Sequence, residues 1–417
     1  MSKRVLVVGG GVVGLSVAHF CARKGHRVTV IERGAPERDG CSFANAGMIV
    51  PSHFIPLASP GVVQTGLRWM WNPESPFHVK PRLDADFLDW VWKLYRAATP
   101  GHVSRAAPVL RDLHLASREL FREWLALWGN EFEWVERGLL TLCNTEQRLE
   151  EEARAAQHAQ RLGMAAEVLT PAAAAELDPG IRMAIAGAVY FPLDCHLTPG
   201  RLMASLRREL EGAGVEVLHR TEVRGWSADR SRVSAVDTSA GPREADEFVL
   251  SAGIWSTALA RDLGLALPME AGKGYSLTLE SPPARPRICA LLSEARVAMT
   301  PMGQSVRFGG TMELAGVDES INPIRIRGIV NSVARYYPDV TPSHFEHAAI
   351  RSGLRPCSPD GLPYVGRFER FANLSAASGH AMMGVSLAPI TGKLIAEVVS
   401  DETPSLSIDA LRPDRYA

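Results

Sequence analysis

The spacing of apolar and polar positions changes period several times along this chain, and each change marks an element. Arg4-Val5-Leu6-Val7-Val8 is a β-branched, apolar run of the length of a strand buried on both faces of a parallel sheet. Glycines follow, and Leu15, Val17, Ala18 and Cys21 then recur at helical spacing until Gly25 stops the helix. Arg27-Val28-Thr29-Val30-Ile31 is a second strand with Glu32 at its end. Helical periodicity returns over 83–98, 108–128 and 146–162, where Glu and Arg or Lys share faces opposite Leu, Phe and Trp. Thr198 as N-cap and Pro199 in the first turn open a helix through Leu202, Leu206 and Leu210 to Gly212. Short strands are predicted over 215–218, 221–223, 233–238 and 247–250, and longer alternating ones, such as 273–279 and 305–311, predict an antiparallel sheet. Last come a short strand over 374–377, a turn at Gly379-His380, and a helix over 384–399 with Leu387, Ile390, Leu394, Ile395 and Val398 apolar.

This order predicts an α/β protein. A Rossmann-like nucleotide-binding domain, discontinuous in sequence, takes 1–85, 196–265 and 351–417, and an α+β domain built on an antiparallel sheet takes 86–195 and 266–350. A long stretch rich in Pro and aromatics, with Phe54, Trp69, Trp71, Phe77, Trp90 and Trp92, is expected to fold over a ligand or partner surface. With 417 residues and 46% hydrophobic positions the chain buries a large core, and 45 basic against 46 acidic side chains give no overall attraction to nucleic acid. The six cysteines form no C-x-x-C pair, which excludes the usual zinc and iron–sulfur patterns; no metal is expected, and a reducing cytoplasm fits best. The glycines interrupting the N-terminal apolar run argue against a secretory signal, and no stretch reads as a membrane-spanning segment.

Gly9, Gly11 and Gly14 form G-x-G-x-x-G between the first strand and its helix. Gly9 permits the tight turn, Gly11 lets a pyrophosphate approach the backbone, and Gly14 lets the helix pack closely on the strand. The free N–H groups and partial positive charge of the helix N-terminus suit phosphates. Glu32 stands near the spacing of about 20 residues at which an acid receives ribose hydroxyls, and its charge repels a 2′-phosphate. Strand, glycines, helix, strand and acid in this order predict dinucleotide binding.

Six motifs resemble the D-amino-acid oxidase/dehydrogenase superfamily of flavoproteins, and among them D-amino-acid dehydrogenases, over nearly the whole length. They are the N-terminal glycines with Glu32, Ser42-Phe43-Ala44-Asn45-Ala46-Gly47, Lys273-Gly274-Tyr275-Ser276 and Gly309-Gly310-Thr311-Met312-Glu313, then Gly353-Leu354-Arg355-Pro356 with Pro359-Asp360-Gly361, and Ser378-Gly379-His380 before the last helix. The resemblance implies FAD as cofactor. It places FAD against Gly9, Gly11, Val12, Val13, Gly14, Glu32, Arg33, Ser42, Asn45, Ala46, Gly47, Met48, Val223, Gly253, Gly379, His380, Gly384, Val385 and Ser386, with Ser42 and Asn45 donating hydrogen bonds. The tip of the last helix, near Gly384, Val385 and Ser386, would face the flavin edge where negative charge collects on reduction.

Oxidation at the carbon beside an amine needs that carbon held at a fixed angle, and a guanidinium paired to the substrate carboxylate does this. The resemblance assigns the role to Arg355, with Tyr275 facing the flavin and bonding the same carboxylate, and His380 beside the ring as base or orienting group. Met48, where a polar residue is frequent in the family, and Met382-Met383 suggest a dry pocket and a compact substrate. The expected reaction is oxidation of a small D-amino or cyclic D-imino acid, such as D-proline or a hydroxylated relative, with electrons passing to a quinone or another acceptor. The alternatives are a glycine or sarcosine-type oxidase using oxygen and a flavin-holding subunit without chemistry of its own. Peripheral contact with the inner face of a membrane through 54–92 is left open, as is the oligomeric state.

Overall fold

The computed structural model describes residues 1–36, 40–69, 75–80, 82 and 84–417. The six-stranded sheet runs in the order Tyr364–Arg367, Leu374–Ser378, Glu247–Leu250, Arg4–Val8, Arg27–Ile31, Glu216–Leu218, parallel except for its first strand. Val5 and Val7 face one layer, formed by the helices Val12–Arg23 and Gly384–Val399; Leu6 and Val8 face the other, with Val236, Phe248 and Ile254. This explains why the first strand lacks alternation: both of its faces are buried. The two helices touch closely because Gly392 has no side chain, and a Cβ there would lie 2.6 Å from the Ser16 backbone.

The larger sheet contains nine strands among the described residues. From one edge it runs Ala349–Cys357, Glu270–Leu279, Ser305–Leu314, Val297–Met302, all antiparallel, and the short strand Phe77–Val79 joins the end of Ser305–Leu314. Every residue of Glu270–Leu279 is buried. One face packs on the helix Pro323–Tyr336 through Tyr275, Leu277, Ile329 and Val333. On the other face lies the turn around Cys41–Gly47, which brings the nucleotide-binding sheet and the larger sheet together over the candidate site.

Several boundaries differ from the sequence reading. The helix expected over 108–128 begins at Pro100, because Thr99 caps it by accepting the His102 N–H, and Pro108 is accommodated inside. The strand expected over 221–223 is Val223–Ala228, in a small sheet with Val233–Thr238. Thr198 precedes its helix as expected, yet its hydroxyl donates to Glu133 instead of capping. Ala381–Val399 has the length and mean hydropathy, 1.4, of a membrane-spanning helix, which the sequence reading did not register; it is 78% buried and forms part of the core. In the aromatic stretch, Trp71 lies outside the described residues, as does the side chain of Trp69; Phe87, Trp90 and Leu94 of helix Ala85–Ala97 pack inward.

Candidate active site

A cleft of about 550 Å³ opens at the C-terminal ends of the parallel strands. Gly9 turns there with φ of 112°, and a Cβ on it would lie 2.3 Å from the Ser251 carbonyl oxygen; a Cβ on Gly14 would lie 1.9 Å from the Gly9 carbonyl oxygen. Only glycine makes this cradle, which leaves the first N–H groups of helix Val12–Arg23 at the cleft. The Val12 N–H donates to Ser42 Oγ at 3.0 Å, so the hydroxyl proton of Ser42 remains available to a ligand. Glu32 Oε2 accepts from the Gly10 N–H at 2.8 Å and Oε1 from the Gly34 N–H at 2.6 Å, which fixes the carboxylate while each oxygen keeps acceptor capacity. The Arg33 guanidinium stacks 3.6 Å from the Trp255 ring centroid and closes one side of the cleft.

Of the residues expected to bind cofactor, Gly9, Gly11, Val12, Val13, Glu32, Arg33, Ser42, Asn45, Val223, Gly253, His380, Gly384 and Val385 line this cleft. Gly14 lies beneath it and Gly379 turns the chain at φ of 79° against Tyr364. Asn45 Oδ1 accepts the Gly47 N–H at 2.8 Å, an Asx turn, which uses the side chain to shape the segment. Ala46, Gly47 and Met48 are set back: the Ala46 Cβ meets Gly309, and Met48 pairs with His196. The Ser386 side chain turns away. Its Oγ accepts the Val50 N–H at 3.1 Å and bonds His114 Nδ1 at 2.9 Å, and its carbonyl accepts from Ser117 Oγ. Burial holds His114 neutral, its pKa pushed down to about 3.

Beyond the Cys41–Gly47 turn, one face of the larger sheet is nearly bare. Gly272 pairs with Arg355, Gly274 with Gly353, and Ser276 with Gly309. Paired residues share a face, so these glycines form one shallow floor. The Arg355 guanidinium lies flat on Gly274, where a Cβ would come within 2.1 Å of Nη2. Nη1 donates to the Thr311 carbonyl at 2.8 Å, and Arg355 meets no carboxylate among the described residues. A half-buried guanidinium without an anion, on a floor cleared of side chains, can hold a small carboxylate.

Two expectations about this face need correction. Tyr275 does not face the cleft: it stands on the opposite side of its strand from Gly272 and Gly274, among Leu277 and Ile329. Its hydroxyl donates to Glu313 Oε2 at 2.7 Å and accepts the Asn322 N–H at 3.4 Å. His380 does line the cleft, but burial pushes its pKa down to about 3 and its Nε2 is bonded to Thr391 Oγ1 at 2.9 Å. An imidazole that takes up its second proton only near pH 3 is a poor general base at neutral pH. The sequence reading missed the Trp255 stack on Arg33, the Thr311 carbonyl on Arg355, and Arg307, whose Nη1 donates to the Phe43 and Asn45 carbonyls at 2.8 and 2.9 Å. Arg307 alternates with Gly309 on one strand, a signal that it shares the glycine face.

A profile of the family described as FAD dependent oxidoreductase (DAO) matches residues 4–398. The D-amino acid dehydrogenase of Granulibacter bethesdensis is 32% identical over 423 residues, spanning 99% of this chain and 100% of that protein. That of Methylobacterium radiotolerans is 33% identical over 423 residues, spanning 99% of each. Among solved structures, glycine oxidase from Geobacillus kaustophilus superposes with a TM-score of 0.79 at 25% identity over 100% of both chains. L-proline dehydrogenase from P. horikoshii, at 18% identity, TM-score 0.75 and coverage of 100% and 98%, shares the fold. The residues present fit FAD: a glycine cradle that any Cβ would fill, an acid fixed at the end of the second strand, and a cleft continuing to the start of the last helix. The chain belongs to the DAO family of FAD-dependent oxidoreductases.

Proposed function

We propose that this enzyme oxidises a small D-amino or cyclic D-imino acid, such as D-proline or a hydroxylated relative, to the imino acid, and that a quinone-type acceptor takes the electrons. The observation that carries the reading is Arg355, laid flat on Gly274 with a backbone carbonyl as its bonded partner and no carboxylate beside it among the described residues. FAD, held by the cradle, supplies the two-electron oxidation. Arg355 pairs with the substrate carboxylate and so fixes the angle of the reacting carbon. The amine enters neutral from solution, and no side chain at the site is required as base. What supports a compact, apolar substrate body is the methionine set around the floor: Met302 Cε stands 3.1 Å from a Cβ position on Gly47, and Met312 Sδ stands 2.3 Å from one on Gly272. What supports an acceptor at a membrane surface is helix Ala85–Ala97. Its inner side covers the site, with Trp90 donating to the Cys357 carbonyl at 2.8 Å, while Leu88, Trp92 and Tyr95 are 53, 59 and 55% exposed along its outer side.

The test is anaerobic bleaching of the purified flavoprotein by a panel of D- and L-amino acids, followed by dye-linked turnover and peroxide yield in air. Bleaching by D-proline-like acids with little peroxide is expected. No bleaching by any D-amino acid, or bleaching by the L-forms alone, sinks the substrate reading, and stoichiometric peroxide sinks the acceptor.

A further inference from the structure

The strands Glu270–Leu279 and Ser305–Leu314 fall out of step beside Arg355. Lys273 pairs with Glu313 and Tyr275 with Gly310, so Gly274 alone faces two residues, Thr311 and Met312. This is a β-bulge, and it decides which side chains look where. Gly310 and Glu313 both lie on the Tyr275 face, and the extra residue sets Thr311 and Met312 opposite Gly274, with the Met312 sulfur against Gly272 and the Thr311 carbonyl on Arg355.

The turn is made at Thr311 with φ of 69°. For a β-branched residue this is a strained backbone outlier. Glycine adopts the same conformation without penalty, and Gly309 and Gly310 stand immediately before it in the chain. The carbonyl alone does not require threonine, since any residue supplies the oxygen that receives Arg355 Nη1 at 2.8 Å. Thr311 as a residue is 7% exposed, and its hydroxyl makes no hydrogen bond among the described residues. A strained backbone thus carries an unpartnered donor on the residue whose carbonyl meets the guanidinium. With Nη1 committed to the carbonyl, Arg355 offers a carboxylate mainly its remaining edge, and a second donor completes the pair.

We propose that Thr311 binds substrate, its hydroxyl donating to the same carboxylate that Arg355 receives. The inference deepens the proposed function and rests on it. The experiment compares Thr311→Ser, which keeps the hydroxyl, with Thr311→Val, which keeps the shape, and Thr311→Gly, which releases the strain. On each flavin-loaded protein three quantities are measured: the Kd of the unreactive probe pyrrole-2-carboxylate, from its perturbation of the flavin spectrum, kcat/KM for the best D-amino acid of the wild type, and the thermal midpoint. The serine variant stays within threefold of wild type, the valine and glycine variants lose at least tenfold in both Kd and kcat/KM, and the glycine variant melts no lower than wild type. Valine and glycine variants within threefold of wild type in probe Kd overturn the inference alone. A wild type that neither binds the probe nor is bleached by any D-amino acid overturns the parent reading and this inference with it.

Discussion

Gly274→Ala is the most direct probe of the guanidinium floor. A Cβ at this position would stand 2.1 Å from Nη2 and 2.3 Å from both Cζ and Nη1 of Arg355. Ordinary contact for such atoms is about 3.5 Å, so the guanidinium has to move by more than about 1 Å. The strand itself cannot give way easily, because it is bonded on both sides and buried along its whole length. A displacement of about 1 Å in a group that sets the reacting angle is worth about 10²-fold in rate, and a charge-assisted hydrogen bond about 1.5–3 kcal/mol. The expected outcome is a loss of about 10²-fold in kcat/KM for the best D-amino acid. Flavin content, read from the absorbance ratio, should remain that of wild type, since Gly274 lies outside the nucleotide cleft. Gly212→Ala is the matched control, because a Cβ there meets nothing within 4 Å. A Gly274→Ala enzyme within threefold of wild type in steady-state kinetics would show that Arg355 is not held on this floor during turnover, and the clamp would have to be sought elsewhere.

Three further outcomes follow from the geometry. Tyr275→Phe should leave kcat/KM within twofold while lowering stability by about 1–2 kcal/mol in denaturant titration, because Glu313 loses a buried donor on the face away from the cleft. Ser386→Ala should keep its flavin but melt earlier, at a cost of about 1–3 kcal/mol, because the buried Val50 N–H and the His114 ring lose their shared partner. Asp194 is fully buried and bonded to the Ser52 N–H at 3.0 Å and the Ser52 hydroxyl at 2.5 Å, and burial pushes its pKa up to about 7. The folded chain therefore keeps a proton that the unfolded chain releases between the ordinary carboxyl range and about pH 7, so this group favours folding as pH falls. Melting curves between pH 8 and 6.5 should show wild type gaining stability relative to Asp194→Asn. Staying above pH 6.5 avoids the opposing penalty from His19, His114, His196 and His380, all held neutral by burial.

The nucleotide cradle was legible because its information is local. Strand, turn, helix, strand and acid fall within the first 32 residues, and Gly14 is required by the Gly9 carbonyl five positions away and Gly9 by the end of the adjoining strand. The substrate face was only half legible. In Glu270–Leu279, Ala271, Tyr275, Leu277 and Leu279 occupy alternate positions and Gly272, Gly274 and Ser276 the others, so period-two reading already assigns Tyr275 to the side of the leucines. The error lay in letting a motif outrank that alternation. The bulge is different in kind, since it exists only as a mismatch between two strands and neither strand records it alone. Its consequence reaches the chemistry. A one-residue slip exchanges the faces of a strand, so without the extra residue Glu313 would swing to the side of Gly272 and Gly274. There it would stand against Arg355, and the resulting buried ion pair would occupy the guanidinium that the substrate carboxylate needs. One additional residue in the Ser305–Leu314 strand, held at Thr311 in a conformation its side chain resists, keeps that acid on the far face with Tyr275 and leaves the cation to a ligand.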